Sequence, residues 1–205
     1  MAFRYSRIVR DEKFDRMYEA IQHAHKNYAL LFAAASNHGE QGSTSFPANL
    51  EEILCIRSAN EEGRQSSYNP RADRDEWSLT ALGEQIKPYD KDHLRVTGTS
   101  VAVTVAAGVA GMVLYLVKSR ASVDDESRSA RANAIKRRAK TTQGMRVILQ
   151  WPSEEDENGW IVPHFRMSLE KANDYIKDMA SREAVREEIL KDMVRHMRDK
   201  LPGIA

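Results

Sequence analysis

Acid–base and metal chemistry would have to come first from the histidines, at positions 23, 25, 38, 93, 164 and 196. His23 and His25 stand two apart in a helical stretch, so they diverge by about 200° and cannot hold one ion together. No HExxH, P-loop, GxGxxG or GxSxG pattern occurs in the sequence. The acidic run Glu154-Glu155-Asp156-Glu157 lacks the ligand spacing of a calcium loop and reads as a solvated turn. Cys55 is the only cysteine, which excludes an internal disulfide and a cysteine-based zinc site. Flanked by Leu54 and Ile56, it reads as buried and inert. Met167, Met179, Met193 and Met197 read as core filling, and Trp77, Trp151 and Trp160 as packing anchors. These residues predict no catalytic, cofactor or metal site, and therefore not an enzyme.

Phosphate binding is the one chemistry the pattern favours. In "SRSARANAIKRRAK", Arg128, Arg131, Lys136, Arg137, Arg138 and Lys140 concentrate positive charge in a chain whose net charge is only +1. Beside an anionic leaflet each such cation contributes about 1 kcal/mol. On nucleic acid, with no aromatic interleaved to stack bases, the contacts would be to backbone phosphate and salt-dependent. The reading set against both is a solvated, stop-transfer flank with no ligand, which weighs as much as the two together.

The element that would position this segment is the apolar stretch "RVTGTSVAVTVAAGVAGMVLYLVKSR", uncharged from Val96 to Val117. As a helix it would be about 33 Å long, close to the hydrocarbon thickness of a bilayer. Lys118 and Arg120 end it, and the basic run beyond places the C-terminal part on the cytoplasmic or equivalent side. Thr104, Ala106, Ala107, Gly108, Ala110 and Gly111 form small-xxx-small pairs, the spacing that lets helix backbones approach closely. That predicts packing against other subunits or copies of itself. The alternative is a soluble helix buried in a bundle or at an oligomer interface.

Around these segments the pattern predicts a mainly α chain with a small α+β C-terminal part. Residues 1–91 read as a helical N-terminal domain. Its first helix carries Phe14, Met17, Tyr18, Ile21, Tyr28, Leu31, Phe32 and Ala35, with Asn37 and Gly39 closing it. A second helix would follow the capping pair Asn49 and Glu52 and end at Gly63. Residues 92–118 form the apolar helix and 119–144 a basic helical linker. Residues 145–205 read as a β-hairpin, from Met145–Trp151 into "WIVPHF", followed by helices capped by Ser168 and Ser181. Trp77–Ile86, with Leu79, Thr80 and Gly83, resembles the strand-to-helix junction after the wing of winged-helix DNA-binding proteins. No apolar leader stands at the N-terminus, so no secretory signal is expected.

The whole predicts a non-enzymatic structural or assembly subunit, membrane-anchored and packed against partner helices, without cofactor or metal. The alternative is a soluble self-assembling coat or nucleoprotein of a virion, with residues 128–140 on nucleic acid.

Overall fold

In the computed structural model, Glu12–Lys26 forms the first helix, α1, with Glu12 and Asp15 in its first turn and Lys26 in its last, as the helix dipole favours. The structure describes residues 12–39, 42–71, 78–88, 91, 93–120, 126–150, 153–155, 161–163, 195 and 200. The side chains at 116, 119, 120, 126–132, 153–155 and 161–163 lie outside that description. α1 stops at Tyr28, whose φ of 59° is left-handed, and the chain turns into strand β1, Leu31–Ala34. The expected helix through Ala35 is therefore half a strand. Leu31, Phe32 and Ala35 match helical spacing only because β1 packs on both faces: Phe32 and Ala34 to one side, Leu31, Ala33 and Ala35 to the other.

The same effect governs strand β2, Ile53–Ala59, buried along its whole length. Leu54 and Ile56 enter one apolar cluster, Ile53 and Cys55 the other. A strand covered on both faces is apolar at consecutive positions and loses the alternation that marks a half-buried strand. The expected helix from Asn49 to Gly63 is thus the central strand of a parallel sheet. β1 pairs with β2 from Leu31↔Ile53 to Ala34↔Ile56. Strand β3, Ser78–Leu82, pairs with β2 from Cys55↔Ser78 to Ala59↔Leu82, also parallel. β3 does not lead into a helix. The chain leaves it through a loop closed by an Ile86↔Val96 bridge, so the winged-helix resemblance does not extend beyond the strand.

Helix α2, Thr99–Arg120, lies along one face of this sheet. Ala102, Val103, Ala106, Val109 and Ala110 are buried in one cluster with Leu54, Ile56, Leu79 and Ala81. On the other face Ile21 of α1 packs with Ala33, Phe46, Ala48 and Cys55. Layers on both faces of a parallel sheet make the fold α/β, which corrects the expectation of a mainly α chain. The anchor expectation is corrected with it. The apolar face of α2 is buried against strands rather than lipid, and among the described residues no helical stretch is long and apolar enough to cross a membrane.

Helices α3, Glu126–Ala139, and α4, Thr142–Gln150, follow. The Thr141 hydroxyl caps α4 by accepting from the Gly144 amide at 3.0 Å, and Met145, Ile148 and Leu149 face the core at helical spacing. This corrects the strand expected over Met145–Trp151. The antiparallel pair sits later, with strands β4, Ser153–Glu155, and β5, Ile161–Pro163. The helices expected after Ser168 and Ser181 lie outside the described residues.

The opposite face of α2 is open. Successive helical residues turn by about 100°, which places Ser100, Thr104, Ala107, Gly108, Gly111, Met112 and Tyr115 on one stripe. Met112 is 59% and Tyr115 69% exposed, and a Cβ added at Gly108 or Gly111 would meet nothing within 4 Å. Met112→Lys and Tyr115→Lys should each change stability by no more than about 0.5 kcal/mol. Val109→Lys should cost about 3 kcal/mol or more, because it buries an unpaired charge. Thermal denaturation of the three variants distinguishes the two faces.

Candidate active site

Gly83, just past β3, and Gly98, just before α2, bring the head of α2 to the end of β1. The Gly98 amide donates to Gly83 O at 2.8 Å, and the Gly83 amide donates to Ala59 O at 2.9 Å. A Cβ on Gly83 would lie 2.5 Å from Ser58 Oγ, 2.8 Å from Gly98 O and 2.9 Å from the Ala102 methyl. Two of those neighbours cannot move without shifting α2. Gly83→Ala should therefore cost about 1–3 kcal/mol, read as a lower Tm. Gly98 has φ +148°, and the Asn37 amide nitrogen would stand 3.1 Å from any Cβ there. Only glycine combines that backbone with so close a neighbour.

Across this turn, Asn37 Oδ1 accepts from the Thr99 amide at 2.9 Å and from the Thr99 hydroxyl at 2.8 Å. Two donors on one atom fix the orientation of the carboxamide, so the other atom is the NH2 group. That NH2 group has no hydrogen-bond partner among the described residues. The helix start offers a second donor. The Val101 and Ala102 amides bond to Gly98 O, at 3.0 and 3.1 Å, and Thr99 is satisfied by Asn37. The Ser100 amide alone of these four meets no acceptor among the described residues. It stands at the positive end of a 22-residue helix.

The half-buried hydroxyl of Ser100 also makes no hydrogen bond among the described residues. A hydroxyl nucleophile, its own backbone N–H and an NH2 group next to it are the parts needed to attack a carbonyl and hold the oxyanion that forms. His38 follows Asn37 directly and is exposed at the same turn. His25 Nδ1 faces the Thr142 hydroxyl at 3.3 Å and His23 faces Asn27, while His93 is exposed in the loop before α2. On α4, burial pushes the Arg146 guanidinium below its ordinary value, with Glu51 and then Cys55 opposing.

The residues singled out in the sequence fall elsewhere. Ala106 and Ala110 are buried under the sheet, while Thr104, Ala107, Gly108 and Gly111 face outward. Arg137 and Lys140 are exposed and Lys136 and Arg138 half-buried, at the end of α3 and just beyond it. The side chains of Arg128 and Arg131 lie outside the described residues. Of these, Thr104 stands one turn after Ser100 on the open stripe of α2. Sequence reasoning missed both site residues, taking Asn37 for a helix stop and passing over Ser100 in the supposed membrane span. The legible signal was a glycine and two hydroxyl residues, Gly98-Thr99-Ser100, opening a helix of small residues after a buried strand.

Known proteins resemble parts of this chain. A thermostable alkaline protease of Halalkalibacterium halodurans is 29% identical over 101 residues, covering 49% of this chain and 27% of its own length. The halolysin-like extracellular serine protease Nep of Natrialba magadii is 39% identical over 89 residues, covering 42% and 16%. The chain thus spans a minor part of the curated relatives it matches. Among solved structures, the S218A mutant of the PatA protease domain aligns with TM-score 0.52 at 21% identity, over 76% of this chain and 53% of that one. The PatG macrocyclase in complex with peptide aligns with TM-score 0.54 at 21% identity, over 76% and 43%. These two show the fold.

Relatives named as proteases overturn the expectation of a non-enzymatic assembly subunit, anchored or virion-forming. The decisive match is to the family profile described as "Subtilase family", of peptidase type, over residues 7–159. The chain belongs to the subtilase family.

Proposed function

We propose that this chain carries the nucleophile and oxyanion site of a serine acyl-transfer enzyme acting on peptide bonds. In this reading Ser100 Oγ attacks the scissile carbonyl. The Ser100 amide and the Asn37 NH2 group stabilise the resulting oxyanion, and Gly98 holds the two in register. The observation that supports it best is the carboxamide of Asn37, fixed through Oδ1 on Thr99 so that its NH2 group stays available beside Ser100. In subtilisin the triad runs Asp, His, Ser along the chain, and an asparagine side chain supplies an oxyanion donor. Here the base that takes the Ser100 proton comes from outside the described contacts. It reaches Ser100 from the open stripe of α2, since the opposite side is filled by the sheet.

Whether acyl transfer ends in hydrolysis or in peptide cyclisation depends on whether water or an amine attacks the acyl-enzyme. The relatives named here include both proteases and a macrocyclase. We favour hydrolysis, since the relatives that share the most sequence are named as proteases. The Natrialba relative is named extracellular, and we place this chain outside the cell on that ground. Incubation with a chromogenic peptide substrate tests the function. Release of the leaving group by the wild type and its loss in Ser100→Ala is the expected result; equal release by both would overturn it.

A further inference from the structure

The oxyanion site rests on two turns from separate parts of the chain, the Asn37–Gly39 turn after β1 and the Gly83/Gly98 contact at the head of α2. Beyond the direct bond from Asn37 to Thr99, Tyr68 reaches both among the described residues, the second through Ser58. The Tyr68 carbonyl accepts from the Gly39 amide at 2.9 Å, two residues past Asn37. The Tyr68 hydroxyl lies 2.7 Å from Ser58 Oγ. Ser58 Oγ is the atom that a Cβ on Gly83 would strike, and Gly83 O holds the Gly98 amide.

Ser58 itself is fully buried and cannot swing away. Its amide donates to Asn69 Oδ1 at 2.9 Å, and its carbonyl accepts from Asn69 Nδ2 at 2.7 Å. Its hydroxyl also receives the Ser66 hydroxyl at 3.0 Å. The segment that carries Tyr68 is tied at its far end, where the buried Arg57 donates from Nε to Ser78 Oγ at 2.7 Å and from NH1 to Pro70 O. Such a network, buried around Ser58 and Asn69, holds one arrangement rather than several.

We propose that Tyr68 is a positioning residue for the acyl-transfer site, fixing through Gly39 and through Ser58–Gly83–Gly98 the separation of the Asn37 NH2 group from the Ser100 amide. This rests on the reading of Ser100 and Asn37 given above. Tyr68 touches neither substrate nor reacting atoms. Its effect is on how well the two donors meet an oxyanion, a term present in the transition state and weak in the bound substrate.

The test is Tyr68→Phe in the full chain, with Ser58→Ala and the double variant, assayed on a chromogenic peptide and by NMR of the Asn37 side-chain NH2 resonances. Tyr68→Phe should lower kcat roughly five- to tenfold and leave KM within about twofold. The double variant should lose little more than either single one, because both remove the same link. The Asn37 NH2 resonances should shift and broaden in all three. A rise in KM with kcat unchanged, additive losses, or unchanged Asn37 resonances would overturn the assignment. If the wild type shows no turnover, the acyl-transfer reading fails separately, and the Asn37 resonances alone decide whether Tyr68 holds the turn.

Discussion

Ser100→Ala should remove peptide-bond cleavage almost entirely, with kcat falling roughly a million-fold. That is the scale seen when the nucleophile of a serine triad is deleted, since the remaining members cannot act without it. The substitution removes one oxygen from a half-buried position that makes no described hydrogen bond. Stability should therefore change by less than about 1 kcal/mol. Residual activity, where binding and the oxyanion donors still operate, should stay above the rate in water by about a thousandfold. A melt that overlays the wild type, together with lost turnover, would separate the chemical role from a folding defect.

The second large effect concerns Asn37, and two substitutions divide its two roles. Asn37→Asp keeps an oxygen for the Thr99 amide and hydroxyl, so the cap on α2 survives, but it replaces the NH2 donor with a second oxygen. Loss of one oxyanion donor costs roughly a hundred- to a thousandfold in kcat. A negative charge at that point should push the loss to the upper end. Asn37→Ala should lose the same donor and the cap as well, adding about 1 kcal/mol of destabilisation. KM should change little in either, because the donor acts on the oxyanion more than on the bound substrate. A rise in KM with kcat unchanged would mean that Asn37 binds substrate rather than the transition state.

How little of this was legible follows from particular residues. The β2 segment, ILCIRSA, carries apolar side chains to both of its faces, so its period-2 signal cancels, and only its shortness separated it from a buried helix. β1 suffered from its position: it follows α1 by only a few residues, and Leu31, Phe32 and Ala35 continue the spacing of Phe14, Met17 and Ile21 by coincidence. The left-handed Tyr28 that separates helix from strand bears no glycine or proline to announce it. α2 was found as a helix, but Gly108 and Gly111, expected to pack against other helices, lie on its open face. Its hydrophobicity was assigned to lipid because two of the three strands that cover it, β1 and β2, lie in segments read as helices.

The site was less visible still. Asn37 and Ser100 lie far apart in sequence and meet only because β1 and the start of α2 end at one edge of the sheet. A serine and an asparagine amide have no spacing rule of their own. A search that starts from histidine, metal ligands or glycine-rich phosphate loops passes over a nucleophile whose partner is a backbone amide. What sequence could have offered was Gly98-Thr99-Ser100 placed between a loop and a helix of alanines and glycines, where a residue without a side chain, a helix cap and a half-buried hydroxyl coincide.

Reaction with a fluorophosphonate, mapped by mass spectrometry of the labelled peptide, bears most directly on the assignment of Ser100. A single phosphonyl adduct on Ser100 in the wild-type protein, absent from Ser100→Ala and much slowed in Asn37→Asp, is the predicted result. An adduct on another residue, or equal labelling of wild type and Ser100→Ala, would contradict it.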